Sequence, residues 1–402
     1  MAISIGTSKG CDVKVLISVS LILSLLILQP GRGQGQSHPE RHHVGKTATS
    51  PYQSSIDGVG AVRFWYSLPQ PTMPAFERRK TLLPTLLRKK LKFHVYKNPT
   101  SSRWVIFNPG IFGHLSAPYV KYMIKTLHNL DYNVLAIPNS FTSSFLKSDP
   151  KFKPGDIFKE SQVVCGLLRD FSSNNETPPS FEIFGVSYGG LLSSAVASQC
   201  SDIITRLTVV SPPLDLTKTL SILNRMILEM KENPRTFERT IQTPDWLLFS
   251  LAKMGFGENY HKLFAKFFYR GLAYSIRNHY RYSSDANAGF KNSIGNLVYD
   301  SKDYNDWEFT LDFHQFFSGE SSSQGTRLKD SRKIQYWLEK LETQGVPFSI
   351  LSSQDDPINL PQDWEPVVAA FSSQRIQVLE VGGHLGLTTT PLFTNFLRQR
   401  FL

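Results

Sequence analysis

FEIFGVSYGGLLSSAVAS, residues 181–198, is the stretch on which the reading of this chain turns. Phe181–Val186 is a short, continuous apolar run with aromatic and β-branched side chains, as expected of a strand buried on both faces. Tyr188–Ser198 is built of small and apolar residues, opens with Gly189 and Gly190, and reads as a helix. Ser187 sits at the junction, flanked by Gly185 and Gly189. A G-x-S-x-G match by itself is weak in a chain holding 26 glycines. The strand before it and the helix after it give it weight. A chain that passes from strand to helix within one residue brings its neighbours close together, so those neighbours must be small. Such a turn lifts the serine Oγ above the strand ends, and the helix N-terminus favours negative charge developing beside it. The bland alternative is a glycine-rich turn carrying an inert serine.

The pattern repeats on both sides of this unit. Strand candidates are Phe93–Lys97, Trp104–Asn108, Val134–Pro138, Phe181–Val186, Leu207–Val210, Phe348–Ser352 and Ile376–Val381. Helix candidates between them are Ala117–Asn129, Ile157–Phe171, Tyr188–Ser198, Asp330–Gln344 and Leu392–Arg400. Short buried strands alternating with helices specify an α/β fold with a mostly parallel sheet and helices on both faces. The alternation fails from Asp215 to about Gly325, where Leu216–Lys231 and Glu258–Tyr282 read as long helices. We therefore expect a core at 62–214 and 330–402, interrupted by a helical cap insertion at 215–329.

A serine hydroxyl is a poor nucleophile without a base. The base is sought after the last core strand, where Gly382-Gly383-His384-Leu385-Gly386 follows Ile376–Val381. Glycines there permit a sharp loop that swings an imidazole over the sheet edge. The carboxylate that orients the imidazole is sought after the preceding strand. Ser353-Gln354-Asp355-Asp356-Pro357 offers two candidates: Asp356, beside the proline turn, is chosen, with Asp355 as the alternative. An oxyanion hole needs two backbone N–H groups. One belongs to Tyr188, next after the serine; the other to Ile111, in the loop Pro109-Gly110-Ile111-Phe112-Gly113-His114 after Trp104–Asn108. His114 is either a pocket residue or a surface residue.

Together, PGIFGH, GVSYGG, SSQDDP and GGHLGL resemble the α/β-hydrolase superfamily. The resemblance is closest to the YheT-type hydrolases and the abhydrolase-domain esterases and lipases. It spans roughly Arg103 to Thr390, with the insertion poorly matched. The chain order Ser187, Asp356, His384 is also that of the superfamily. Three positions depart from the branch pattern. Pro109 stands where the branch has histidine, Asn139-Ser140-Phe141 replaces its arginine–glycine stretch, and Leu387 replaces its final phenylalanine. The resemblance implies an α/β-hydrolase fold and hydrolysis of carboxylic or acyl-lipid esters, with no metal or organic cofactor. The rival readings are an acyltransferase or peptidase on the same residues, or an inactive binding protein of the cell envelope.

The 402-residue chain carries a net charge of +11, which favours anionic partners. It has no zinc-finger spacing, RNA-binding aromatic signature or heptad, and nucleic acid is not an expected partner. In Lys262–Tyr282, aromatic residues alternate with Lys, Arg and His. This segment is either a lid or membrane-surface contact, through Lys266, Arg270 and Arg277, or a cap helix with a solvated basic face. Val15–Leu28 is an uncharged apolar run preceded by Lys9 and Lys14 and broken by Gln29, Pro30 and Gly31. We read 1–35 as a signal peptide, with an uncleaved anchor as the alternative, and expect export to the envelope or beyond. Residues 36–61 read as a linker. Cys165 and Cys200 lie at apolar positions on two helices and read as separate buried thiols, with pairing as the alternative in an exported protein.

Overall fold

The computed structural model describes residues 72–111, 113–150, 152, 154–174, 179–232, 235 and 330–401, all within one compact unit. The Val15–Leu28 run, the 36–61 linker and most of the insertion, including Lys262–Tyr282, lie outside the described residues.

Eight strands form one sheet. They are β1 (Glu77–Thr81), β2 (Leu91–Tyr96), β3 (Trp104–Asn108), β4 (Asn133–Ala136), β5 (Phe181–Val186), β6 (Ile204–Val210), β7 (Phe348–Ser353) and β8 (Ile376–Leu379). Their spatial order is β1-β2-β4-β3-β5-β6-β7-β8. β2 runs antiparallel to both β1 and β4, and every pair from β4 through β8 is parallel.

Successive side chains of a strand face opposite sides, and here each side has its own core. Ile106, Leu135, Ile183, Leu207, Val209 and Ile350 point into one cluster. Val105, Phe107, Val134, Phe184, Val186, Val210 and Leu351 point into the other. The first is covered by α3 (Ile157–Ser173), α4 (Tyr188–Gln199) and α6 (Ile334–Gln344). The second is covered by α1 (Pro118–Asn129) and α8 (Pro391–Phe401). Helices therefore flank both faces, as the alternation required.

Ends are set by local chemistry. Pro118 opens α1, where its missing N–H costs nothing. Asp156 caps α3 by accepting the N–H of Lys159 at 3.0 Å. Gly345 closes α6 in the left-handed conformation, φ 70°. The helix expected from Asp330 begins at Ile334 instead, because Lys333 bridges to Asp215 and the N–H of Ile334 is taken by the carbonyl of Leu214 at 2.9 Å. Leu216 donates to Arg332 across the same bridge at 2.9 Å. The chain thus leaves the core after β6 and rejoins it at an adjacent point. α5 (Leu216–Glu232) begins the excursion, close to the expected Leu216–Lys231.

Three elements were not anticipated. β1, ERRKT, has no apolar periodicity; it is an edge strand whose charges suit its exposed position. α2 (Ser143–Leu146) is a single turn, and α7 (Trp364–Phe371) is short, with Pro366 in its first turn, where the missing N–H breaks no helix bond. A correction concerns the cysteines. Cys165 and Cys200 do not stand as separate thiols: they are joined as a disulfide between α3 and the end of α4, with Cα atoms 5.9 Å apart. Both sit on the buried faces of neighbouring helices, and that is what brings them into range.

Candidate active site

Ser187 holds φ 55° and ψ −131°, a strained conformation for a residue with a side chain. The surroundings enforce it. A Cβ at Gly185 would run into the Gly189 carbonyl and the Ser193 hydroxyl, and one at Gly189 would run into the carbonyls of Asn108 and Pro109. The backbone N–H of Ser187 is held by Val210 at 2.9 Å. The hydroxyl is thereby fixed at the C-terminal end of β5, with the first turn of α4 behind it.

β7 and β8 bring two further side chains to the same rim. Ser187 Oγ lies 2.9 Å from Nε2 of His384. Nδ1 of that ring lies 3.0 and 3.1 Å from the two carboxylate oxygens of Asp356. Asp356 is 1% exposed and His384 4% exposed, so the relay is shielded from water. A buried carboxylate needs donors, and Asp356 also accepts the N–H of Ile358 at 3.1 Å.

The two aspartates differ in their contacts. Asp356 reaches the imidazole, while Asp355 accepts the N–H groups of Gly382 and Gly383 at 2.8 and 2.7 Å. This also ends β8 at Leu379 rather than Val381, since the chain is already turning toward Asp355. Gly383 has φ 55° and Leu385 φ 65°, so the backbone on both sides of His384 is folded tightly.

The loop after β3 packs against the serine. A Cβ at Gly110 would lie 3.2 Å from Ser187 Cβ and 3.5 Å from its Oγ. Ile111, next in sequence, is partly buried against the core. Tyr188 begins α4, where backbone N–H groups have no partner within the helix. His114 lies farther along this loop, half-buried, with Nε2 3.1 Å from Ser143 Oγ. Burial, then Lys147, holds its pKa below the ordinary histidine value. Among the described residues, no group of three or more His, Cys, Asp or Glu is placed to hold a metal ion.

Four polar residues at the site have no role assigned from the sequence, where Asn139 stands only as a departure from the family pattern. Asn139 donates through Nδ2 to the carbonyls of Pro109 and Gly110 at 3.1 and 2.6 Å. Glu160 accepts from Ser140 and Tyr188. Asn359 links the acid loop to the start of the insertion, donating to the Pro212 carbonyl at 2.8 Å and accepting from the Leu214 N–H at 2.9 Å. Asn108 donates to Ser193 Oγ at 2.9 Å beneath the elbow. Glu160 did leave a signal: a carboxylate on the apolar stripe of α3, in line with Ile157 and Val164.

An eight-stranded sheet in this order, with the second strand reversed and a strand–serine–helix elbow on β5, decides the fold. The chain has the α/β-hydrolase fold. No family model matches the sequence, and no curated protein does. Solved α/β hydrolases are distantly similar. An α/β hydrolase, GrgF from Penicillium sp. sh18, is 13% identical with TM-score 0.45, the match covering 81% of this chain and 96% of that one. An esterase of Pyrococcus furiosus is 15% identical with TM-score 0.44, covering 82% and 94%. A proline iminopeptidase of Mycobacterium smegmatis is 13% identical with TM-score 0.42, covering 81% and 99%. Likenesses at this level carry no argument about chemistry, and the α/β-hydrolase fold hosts many reactions. The chemistry of this chain rests on its own side chains.

Proposed function

We propose that the chain is a serine hydrolase that cleaves carboxylic esters, acyl-lipid esters among them, through an acyl-enzyme on Ser187. One observation carries the reading: Ser187 Oγ is 2.9 Å from His384 Nε2 while Asp356 holds the opposite nitrogen at 3.0 Å. In this cycle His384 takes the Ser187 proton as Oγ attacks the ester carbonyl. Asp356 keeps the ring in the tautomer that accepts at Nε2, and stabilises the cation formed. The N–H groups of Tyr188 and Ile111 hold the oxyanion. His384 then protonates the departing alcohol and activates a water for deacylation.

The test is hydrolysis of a p-nitrophenyl ester series of increasing acyl length, with and without an added alcohol. The reading expects free acid as the main product and a definite chain-length optimum. Dominant transfer to the alcohol would make the protein an acyltransferase, and failure to turn over any activated ester would favour an inactive binding protein.

We also propose that the protein is exported. The Cys165–Cys200 pair supports this, since such bonds persist in oxidising compartments. N-terminal sequencing of the mature chain from cell fractions tests it; an intact Met1 in a cytosolic pool would contradict it.

A further inference from the structure

Glu160 takes no part in the acyl-transfer steps, yet it is completely buried beneath them. One carboxylate oxygen accepts the N–H of Ser140 at 2.7 Å. The other accepts the Ser140 hydroxyl and the Tyr188 phenol, each at 2.5 Å. Burial of such a group is costly unless it is hydrogen-bonded, and a fully satisfied network fixes the segments that supply its donors. Here those segments are the two that serve the oxyanion site.

The first is Tyr188 itself. Its phenol is tied to Glu160 and its ring packs edge-on against Phe141, 4.9 Å between centroids. The residue that donates the first N–H of α4 is therefore anchored at the far end of its side chain. The second is the Pro109–Ile111 loop, reached through Asn139, the residue before Ser140. Asn139 is fully buried; it accepts the Phe141 N–H at 3.1 Å and grips the Gly110 carbonyl at 2.6 Å. In a trans peptide the C=O and N–H point opposite ways, and the structure has no cis bonds among the described residues. Holding the Gly110 carbonyl at Asn139 therefore turns the Ile111 N–H away from Asn139. Gly110 itself lies against Ser187.

We propose that Glu160 and Asn139 are positioning residues that hold the amides of Tyr188 and Ile111 in place for the oxyanion, an inference that rests on the serine-hydrolase reading. They touch neither substrate nor reacting atoms, and act through the two donors. Burial raises the Glu160 pKa to about 7, opposed by the bonds from Ser140 and Tyr188, with Asp156 adding to the rise. The carboxyl is thus held by its donors against a strong desolvation cost.

The experiment uses the full chain as wild type, Glu160→Gln, Asn139→Ala and Tyr188→Phe. It measures kcat and KM on one p-nitrophenyl ester, thermal midpoint, and affinity for an aryl boronic acid, whose tetrahedral adduct with a serine needs the same donors. A positioning role lowers kcat about 10- to 100-fold with KM within about threefold, and weakens boronate affinity in parallel. Variants that fold and keep wild-type kcat and boronate affinity overturn the inference. So does a loss of thermal stability with kcat unchanged. If Glu160→Gln does not fold, Tyr188→Phe, which removes one hydroxyl, and Asn139→Ala decide it by the same criteria. A wild type that neither turns over nor binds boronate fails the serine-hydrolase reading itself, and this inference falls with it.

Discussion

Asp355 accepts the N–H of Gly383 at 2.7 Å, one residue before the imidazole that Asp356 holds. Adjacent carboxylates thus have separate partners, Asp355 the loop backbone and Asp356 the ring, and under the proposed serine-hydrolase reading Asp356 orients the imidazole while Asp355 folds the loop. Asp356→Asn should lower kcat by about 10⁴-fold with the fold intact, because the amide favours the wrong histidine tautomer. Asp355→Asn keeps the accepting oxygen but removes the charge from its bonds to the amides of Gly382 and Gly383, and should cost about 1 kcal/mol of stability and far less of kcat. Steady-state kinetics and urea denaturation of the two variants check this division. Equal losses of kcat would contradict it.

The elbow tolerates no added carbon at Gly189, because a Cβ there meets two carbonyl oxygens of the β3 loop. Backbone cannot yield as a flexible side chain can. Gly189→Ala should therefore destabilise the chain by about 3 kcal/mol or more, seen as a sharp fall in soluble yield and thermal midpoint.

Glu160 gives stability a pH dependence whose sign follows from its buried site. Its pKa in the folded chain is raised from 4.5 to about 7 by burial, with Ser140 and Tyr188 opposing and Asp156 adding. The folded state therefore binds more proton than the unfolded one between these values. Its contribution to stability is full below about pH 4.5 and is lost as pH rises toward 7. At about 1.4 kcal/mol per unit the loss reaches a few kcal/mol at most. Glutamine does not titrate. The stability of Glu160→Gln relative to wild type should rise from pH 5 to 7 and level off above. A gap that stays constant or shrinks would contradict the assignment.

Cys165 and Cys200 are 35 residues apart in sequence. Closing a loop of this length restricts the unfolded chain by about 3–4 kcal/mol in the entropic account. Peptide mapping without reductant should recover the linked pair, and Cys200→Ser should lower the unfolding midpoint by a matching amount. Two freely alkylated thiols in the native protein would contradict the pairing.

The sheet was legible because buried parallel strands are short and apolar, and β3 and β5 fall where the sequence put them. β1 was not, since an edge strand is free to be charged: ERRKT carries no burial signal. Ser187, His384 and Asp356 could be picked out as candidates because each follows a strand and glycines mark the turns at Ser187 and His384, and the fold brings these three side chains within hydrogen-bonding distance. Choosing Asp356 over Asp355 needed a distance, as both occupy the same loop with the same chemistry. Asn139 and Glu160 escaped because their meaning depends on contacts among α3, α4 and two loops that lie far apart in sequence. The basic and aromatic insertion at Lys262–Tyr282 falls outside the described residues.

Reaction of the native chain with a fluorophosphonate, followed by intact mass and peptide mapping, tests the central claim most directly. The account predicts one adduct per chain, on the peptide containing Ser187, lost in Ser187→Ala and strongly slowed in His384→Ala while both variants remain folded. An adduct that persists in Ser187→Ala, or a folded wild type that forms none, would contradict it.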